Sequence, residues 1–217
     1  HRMEKHEGLH LTEDSAYLAS QQALMERIRE GDCPDVLVVV CSDIELRALS
    51  PRHSHTYGPV VLANAGCSVP RCDPWNSGDG SEAATVEYAV VGLGVKHIIV
   101  CGHSRCEASR ALWRHERADT QFVVPWQLSH DEASPSEAGG QFLSKAAAEE
   151  HVLKQLENLQ THPSVNAKLT TRELALHGWL YEGETDRMYA YSSKQGRFVC
   201  FCGVQSDRSS ASVPACA

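Results

Sequence analysis

No apolar run in this chain approaches the ~20 residues that a membrane-spanning helix requires, so a transmembrane protein is not expected. His1 to Leu11 is polar and lacks the apolar centre of a secretory signal, which points to a cytoplasmic protein. Cations are in short supply: 20 Lys and Arg face 28 Asp and Glu, for a net charge of -8. A phosphate backbone needs a cationic surface, so nucleic acid is excluded as the main partner. A paired-cysteine framework is also missing. Nine cysteines, an odd number, are scattered through 217 residues. That pattern suits a reducing compartment, with some thiols on metal and the rest serving as small core residues. There is no internal repeat.

What remains is the composition of a globular protein, 42% hydrophobic and 22% charged, with room for one substantial core. The expected organisation is a single domain over residues 1–205, with an N-terminal helical arm at 10–31 and a disordered Ser-rich tail at 206–217. Residues 12–30 place Tyr17, Leu18, Leu24, Met25 and Ile28 at helical spacing before Gly31. Val36 to Val40 is an unbroken β-branched and aliphatic run leading into Cys41, the signature of a buried parallel strand. Further strands are predicted at Val60–Leu62, Lys96–Cys101, Glu173–Tyr181 and Arg187–Ser192, the last two joined by a turn at Gly183. Helices are predicted from Ser81 or Glu82 to Leu93, over Ser104–Glu116 and over Gln141–Gln160, with a polar loop at 129–140. Strands alternating with helices imply an α/β fold, a mostly parallel central sheet flanked by helices.

The chemistry concentrates at strand ends. Cys41 closes one predicted strand, while His103 and Cys106 follow another, and the carboxyl ends of strands line the ligand crevice of open α/β sheets. His-x-x-Cys on a helical turn would aim imidazole and thiolate at one point. Two thiolates and one imidazole suit Zn2+, and three protein ligands leave a fourth position for water. From spacing alone a second reading stays open, a buried cysteine and a surface histidine that never meet.

The segments Cys41-Ser-Asp43, Asn64-Ala-Gly66, Glu87-Tyr-Ala-Val90 and His97-Ile-Ile-Val-Cys-Gly-His-Ser-Arg-Cys106 resemble the core motifs of β-class carbonic anhydrases. Gln155-Leu-Glu-Asn-Leu-Gln-Thr-His-Pro163 and Leu176-His-Gly-Trp-Leu-Tyr181 extend the likeness, and these later segments are most similar to the cyanobacterial carboxysomal branch. The resemblance implies Zn2+ on Cys41, His103 and Cys106, and reversible hydration of CO2 to bicarbonate through a zinc-bound hydroxide. It also implies a homodimer or higher homo-oligomer with sites near subunit interfaces, and extends to a carboxysome-type assembly.

The likeness breaks at one functional element. The family's first motif reads Cys-x-Asp-x-Arg, where the arginine holds the aspartate off the metal; here the arginine position is Glu45. A second family arginine falls on Ala63, an aspartate on Gly58, and two glycines on Glu107 and Ala108. Without its partner Asp43 would itself become a fourth metal ligand and close the site. Arg105 and Arg47 are the candidate replacements, and Arg105 is preferred because it lies between two ligands. Three functions follow: a carbonic anhydrase using Asp43 and Arg105, a silenced zinc-holding relative with an assembly or regulatory role, and a hydrolase of another CO2-like molecule. Val61 and Tyr88 are expected either to wall an apolar pocket or to pack in the core. Cys67, Cys72, Cys101, Cys200 and Cys202 are expected to pack, and His177 to be structural. His53, His55, His115 and His130 are candidate proton shuttles.

Overall fold

A computed structural model describes residues 4–42, 49, 58–72, 80–108 and 145–203. Helix α1 (Glu4–Glu30) leads into strand β1 (Val36–Cys41), followed by β2 (Val60–Asn64) and a tight turn at Ala65–Cys67. Helix α2 (Ser81–Glu87) widens into a π-helical turn (Tyr88–Gly92) before β3 (His97–His103). Helices α3 (Lys145–Gln160) and α4 (Pro163–Thr170) then precede β4 (Ala175–Glu182), β5 (Arg187–Ser192) and β6 (Arg197–Gly203).

The six strands form one sheet in the order β2-β1-β3-β4-β5-β6. β2, β1, β3 and β4 run parallel, whereas β4, β5 and β6 are antiparallel. The change of direction follows connection length. Short turns join β4 to β5 and β5 to β6, and such turns can only reverse a strand; parallel neighbours need a long crossover.

The unbroken apolar run of β1 is explained by burial on both faces. Val36 and Val38 join Ile99, Cys101, Trp179 and Met188 under α1, where Leu24, Met25 and Ile28 cover them. Leu37 and Val39 face the other way and pack with Ile98, Val100, Val86, Val90, Val152 and Leu159 beneath α2, α3 and α4. Two polar ties anchor α1: buried Trp179 donates its Nε1–H to Gln21 Oε1 at 2.8 Å, and the Tyr17 hydroxyl donates to the Tyr191 carbonyl at 2.7 Å.

Several boundaries differ from expectation. β3 continues through His103, which therefore ends the strand instead of following it, and β2 continues to Asn64. α1 starts at Glu4, earlier than its apolar rhythm suggests. Most of the helix expected at Ser104–Glu116, the polar loop at 129–140 and the tail at 206–217 lie outside the described residues. No helix among the described residues is long and apolar enough to cross a membrane.

Candidate metal centre

β1 and β3 are adjacent and parallel, and their register pairs Val40 with Cys101, so their carboxyl ends emerge side by side. That places Cys41 beside the turn carrying His103 and Cys106. The donor atoms of Cys41, His103 and Cys106 all lie within 4.8 Å of one another, and all three residues are buried. The two sulfurs are 3.6 Å apart. Among the described residues this is the one group of three or more histidine, cysteine or acidic side chains arranged to hold a metal.

Local hydrogen bonds prepare the donors. His103 Nδ1 lies 2.9 Å from the Ser104 carbonyl, which can only accept, so Nδ1 carries the hydrogen and Nε2 keeps the lone pair in the neutral ring. The Gly66 N–H donates to Cys41 Sγ at 3.2 Å, stabilising sulfur in its thiolate form. Gly102, next to His103, is a close-approach position. A Cβ there would sit 2.6 Å from Val152 Cγ2, so α3 lies directly against the strand end that presents the imidazole. The donor set, two thiols and an imidazole, fits Zn2+ in both softness and number.

The expected helical turn between His103 and Cys106 is absent. Residues 104–106 form a turn in which Arg105 adopts φ 60°, a left-handed conformation unfavourable for a side chain with a Cβ. The β4–β5 turn holds it there. Ser104 N–H donates to the Tyr181 carbonyl at 2.9 Å, the Ser104 hydroxyl donates to Glu184 Oε2 at 2.7 Å, and Gly183 N–H donates to Ser104 Oγ at 3.1 Å. Arg105 Nε pairs with Glu184 Oε1 at 2.5 Å, an ion pair at the surface. Asp43, Glu45 and Arg47 lie outside the described residues, as do His53, His55, His115 and His130. Ala63 is exposed on edge strand β2, on the same side as Val61.

Other expectations need correcting. Val61 and Tyr88 are 56% and 62% exposed, so neither packs in the core of this chain; Val91 and Leu93 are exposed with them. Cys67 and Cys101 are buried and Cys202 packs with its sulfur 3.5 Å from Met25 Sδ, but Cys200 on β6 is exposed. Burial pushes the Cys101 thiol up to about 12, away from ligand chemistry.

Sequence reasoning missed a polar stripe that runs along α3 and on to His162, the residue capping the start of α4. His151, Gln155, Asn158 and His162 are all buried, at the i, i+4, i+7, i+11 spacing of one helix face. Each meets the backbone of the strap that follows β2. His151 Nε2 lies 2.7 Å from the Gly66 carbonyl, and Gln155 Oε1 accepts from Val69 N–H at 2.8 Å. Asn158 Nδ2 donates to the Val69 carbonyl at 2.9 Å, and His162 Nε2 lies 2.9 Å from the Pro70 carbonyl. Polar residues recurring at helical spacing were the available signal, and that pattern alone reads as a solvent-facing stripe.

Comparison with known proteins agrees with the geometry. The sequence profile of the carbonic anhydrase family matches residues 36–188. The chain is 34% identical to a carbonic anhydrase of Synechocystis sp., over 84% of this chain and 69% of that protein. It is 36% identical to one from Pseudomonas aeruginosa, over 85% of this chain and 84% of that protein. The solved structure of the β-carbonic anhydrase CcaA superimposes with a TM-score of 0.65, 32% identity and 89% of each chain covered. With the buried Cys–His–Cys cluster at the sheet's carboxyl edge, these matches place the chain in the β-class carbonic anhydrases, zinc enzymes that interconvert CO2 and bicarbonate.

Proposed function

We propose that Cys41, His103 and Cys106 hold the zinc on which this chain hydrates CO2, with Asp43 and Arg105 completing the site. The observation that carries the ligand assignment is the convergence of three buried donors within 4.8 Å at the ends of β1 and β3. Zinc bound there supplies a Lewis acid that makes a water acidic near pH ~7. Asp43, two residues beyond Cys41, is the carboxylate that orients the attacking oxygen and accepts its hydrogen bond. Arg105 is the cation that keeps Asp43 off the metal, in place of the arginine that Glu45 replaces. Its backbone lies between two ligands, while its side chain is exposed and paired with Glu184, so this role requires the guanidinium to turn from that surface pair toward Asp43.

The exposed apolar residues Val61, Tyr88, Val91 and Leu93 favour a second copy of this chain as the cover for that side of the sheet. Among the described residues β2 is an edge strand, and a homo-oligomer would cover such an edge. No disulfide joins any of the eight described cysteines, which supports a reducing compartment, either the cytoplasm or a carboxysome-type shell within it.

Stopped-flow CO2 hydration on zinc-loaded protein tests the residue roles. Asp43→Ala and Arg105→Ala are each expected to lower kcat on the order of 100-fold, and Glu45→Arg to rescue Arg105→Ala. Unchanged kcat in Arg105→Ala would remove that residue from the site. Zero turnover by the parent protein at full zinc load would leave the silenced, assembly-type reading standing.

A further inference from the structure

The strap after β2 touches both the metal centre and the polar stripe of α3, and the two contacts meet at one residue. Gly66 adopts φ 74° and ψ 18°, a left-handed conformation that glycine accepts freely. On one side its N–H donates to Cys41 Sγ; on the other its carbonyl lies 2.7 Å from His151 Nε2. A carbonyl can only accept, so His151 Nε2 carries a hydrogen and donates it. His151 is 7% exposed and Gly66 is buried, so water does not compete for either bond.

We propose that His151 is a positioning residue for the metal centre: by anchoring the Gly66 carbonyl from α3, it aims the Gly66 N–H at the Cys41 thiolate. The two bonds belong to different peptide groups of residue 66, so the link is orientational. Both groups hang on the Gly66 Cα, so a shift of that Cα when the carbonyl loses its anchor also moves the N–H relative to sulfur. A hydrogen bond to a thiolate lowers the energy of its lone pairs and restrains the charge it gives the metal. His151 therefore sets how tightly Cys41 holds the metal and how strongly that metal acts as a Lewis acid. The lower rungs act differently. Gln155 and Asn158 hold Val69, three residues further along the strap, and stabilise it without touching Gly66.

This inference rests on the proposed ligand set, and cobalt substitution separates the two. Wild-type protein loaded with one Co2+ per chain is expected to show a thiolate-to-cobalt charge-transfer band; its absence would overturn the ligand set itself. With the band present, His151→Leu is expected to move it to lower energy and, because a thiolate without its N–H donor is more readily protonated off the metal, to speed zinc transfer to a chelator on the order of ten- to a hundredfold. His151→Gln places an amide N–H at similar reach and is expected to restore band position and release rate to within about threefold. Gln155→Leu is expected to lower the unfolding midpoint while leaving the band in place. A folded His151→Leu protein with wild-type band and release rate overturns the proposal. So does a Gln155→Leu protein whose band moves as far, because loosening of the strap in general would then be the cause. If His151→Leu does not fold, His151→Ala takes its place: the same band shift and faster release support the proposal, and wild-type values overturn it.

Discussion

His97 and His103 stand at the two ends of a single strand, β3, and have opposite fates. At the amino end, His97 Nδ1 lies 3.1 Å from His177 Nε2, while Arg27 and Asp35 pair nearby at 2.6 Å. Burial, and after it the neighbouring His97, pushes His177 down to about 4. Burial lowers His97 as well, against the pull of Asp35. Two neutral imidazoles therefore satisfy each other, and among the described residues no thiol or carboxylate joins them in a metal-holding group. At the carboxyl end, His103 meets two thiols whose negative charge only a cation can neutralise once they ionise. The same residue type on the same strand becomes structural at one end and chemical at the other. The difference is set by what the adjacent strand and turn deliver, and it falls where the crevice of a parallel sheet predicts.

The sharpest way to break this comparison is to exchange the consequences of the two ends. Cys41→Ser should weaken zinc binding by at least on the order of 100-fold, since even outer hydrogen-bond partners contribute 10- to 100-fold. CO2 hydration should vanish with it. His97→Gln should keep one zinc per chain, read by metal analysis after dialysis. Zinc loss from both variants would mean that the amino end also supports the metal.

Acid sharpens the contrast next. His177 has a folded pKa of about 4 against about 6.5 when unfolded, so between those values the unfolded chain binds the extra proton. Its contribution to stability is therefore complete above pH ~6.5 and is lost as pH falls toward ~4, by about 3 kcal/mol. Urea unfolding from pH 7 down to 4.5 should show this slope, and His177→Gln should flatten it. An unchanged slope in the variant would assign the acid sensitivity to other groups.

The smallest effect belongs to the turn that clasps the metal loop. Glu184→Gln removes an exposed ion pair with Arg105, and exposed pairs contribute little. Zinc release should quicken only about two- to threefold at low salt. The difference from wild type should fade at 1 M salt, as screening predicts for a surface charge. A large, salt-insensitive effect would instead show that the left-handed Arg105 conformation depends on Glu184 entirely.

The α/β alternation and the three metal donors were legible because both are written in local patterns. A β-branched run buried on two faces is apolar throughout, and a cysteine at its end needs no long-range knowledge to be noticed. The stripe along α3 and its exit turn was harder to read. His151, Gln155, Asn158 and His162 look like the solvent face of an amphipathic helix until the strap that covers them is in place. Val61 and Tyr88 show the converse: apolar character left core packing open as one reading, and their exposure in this chain rules that reading out.

By itself, then, the sequence determined the alternation of most strands and helices, though not helix α4, together with the family and the identity of the metal donors, all of which rest on residue type and short spacing. Only the tertiary structure decided that Cys41 meets His103 and Cys106, because 65 residues separate the two thiols and strand register alone closes that gap. It also decided that Ser104 and Arg105 answer to Glu184 and that Gly66 answers to His151. Such pairings depend on which backbone comes to lie across a given side chain, a long-range choice made by packing of the whole sheet.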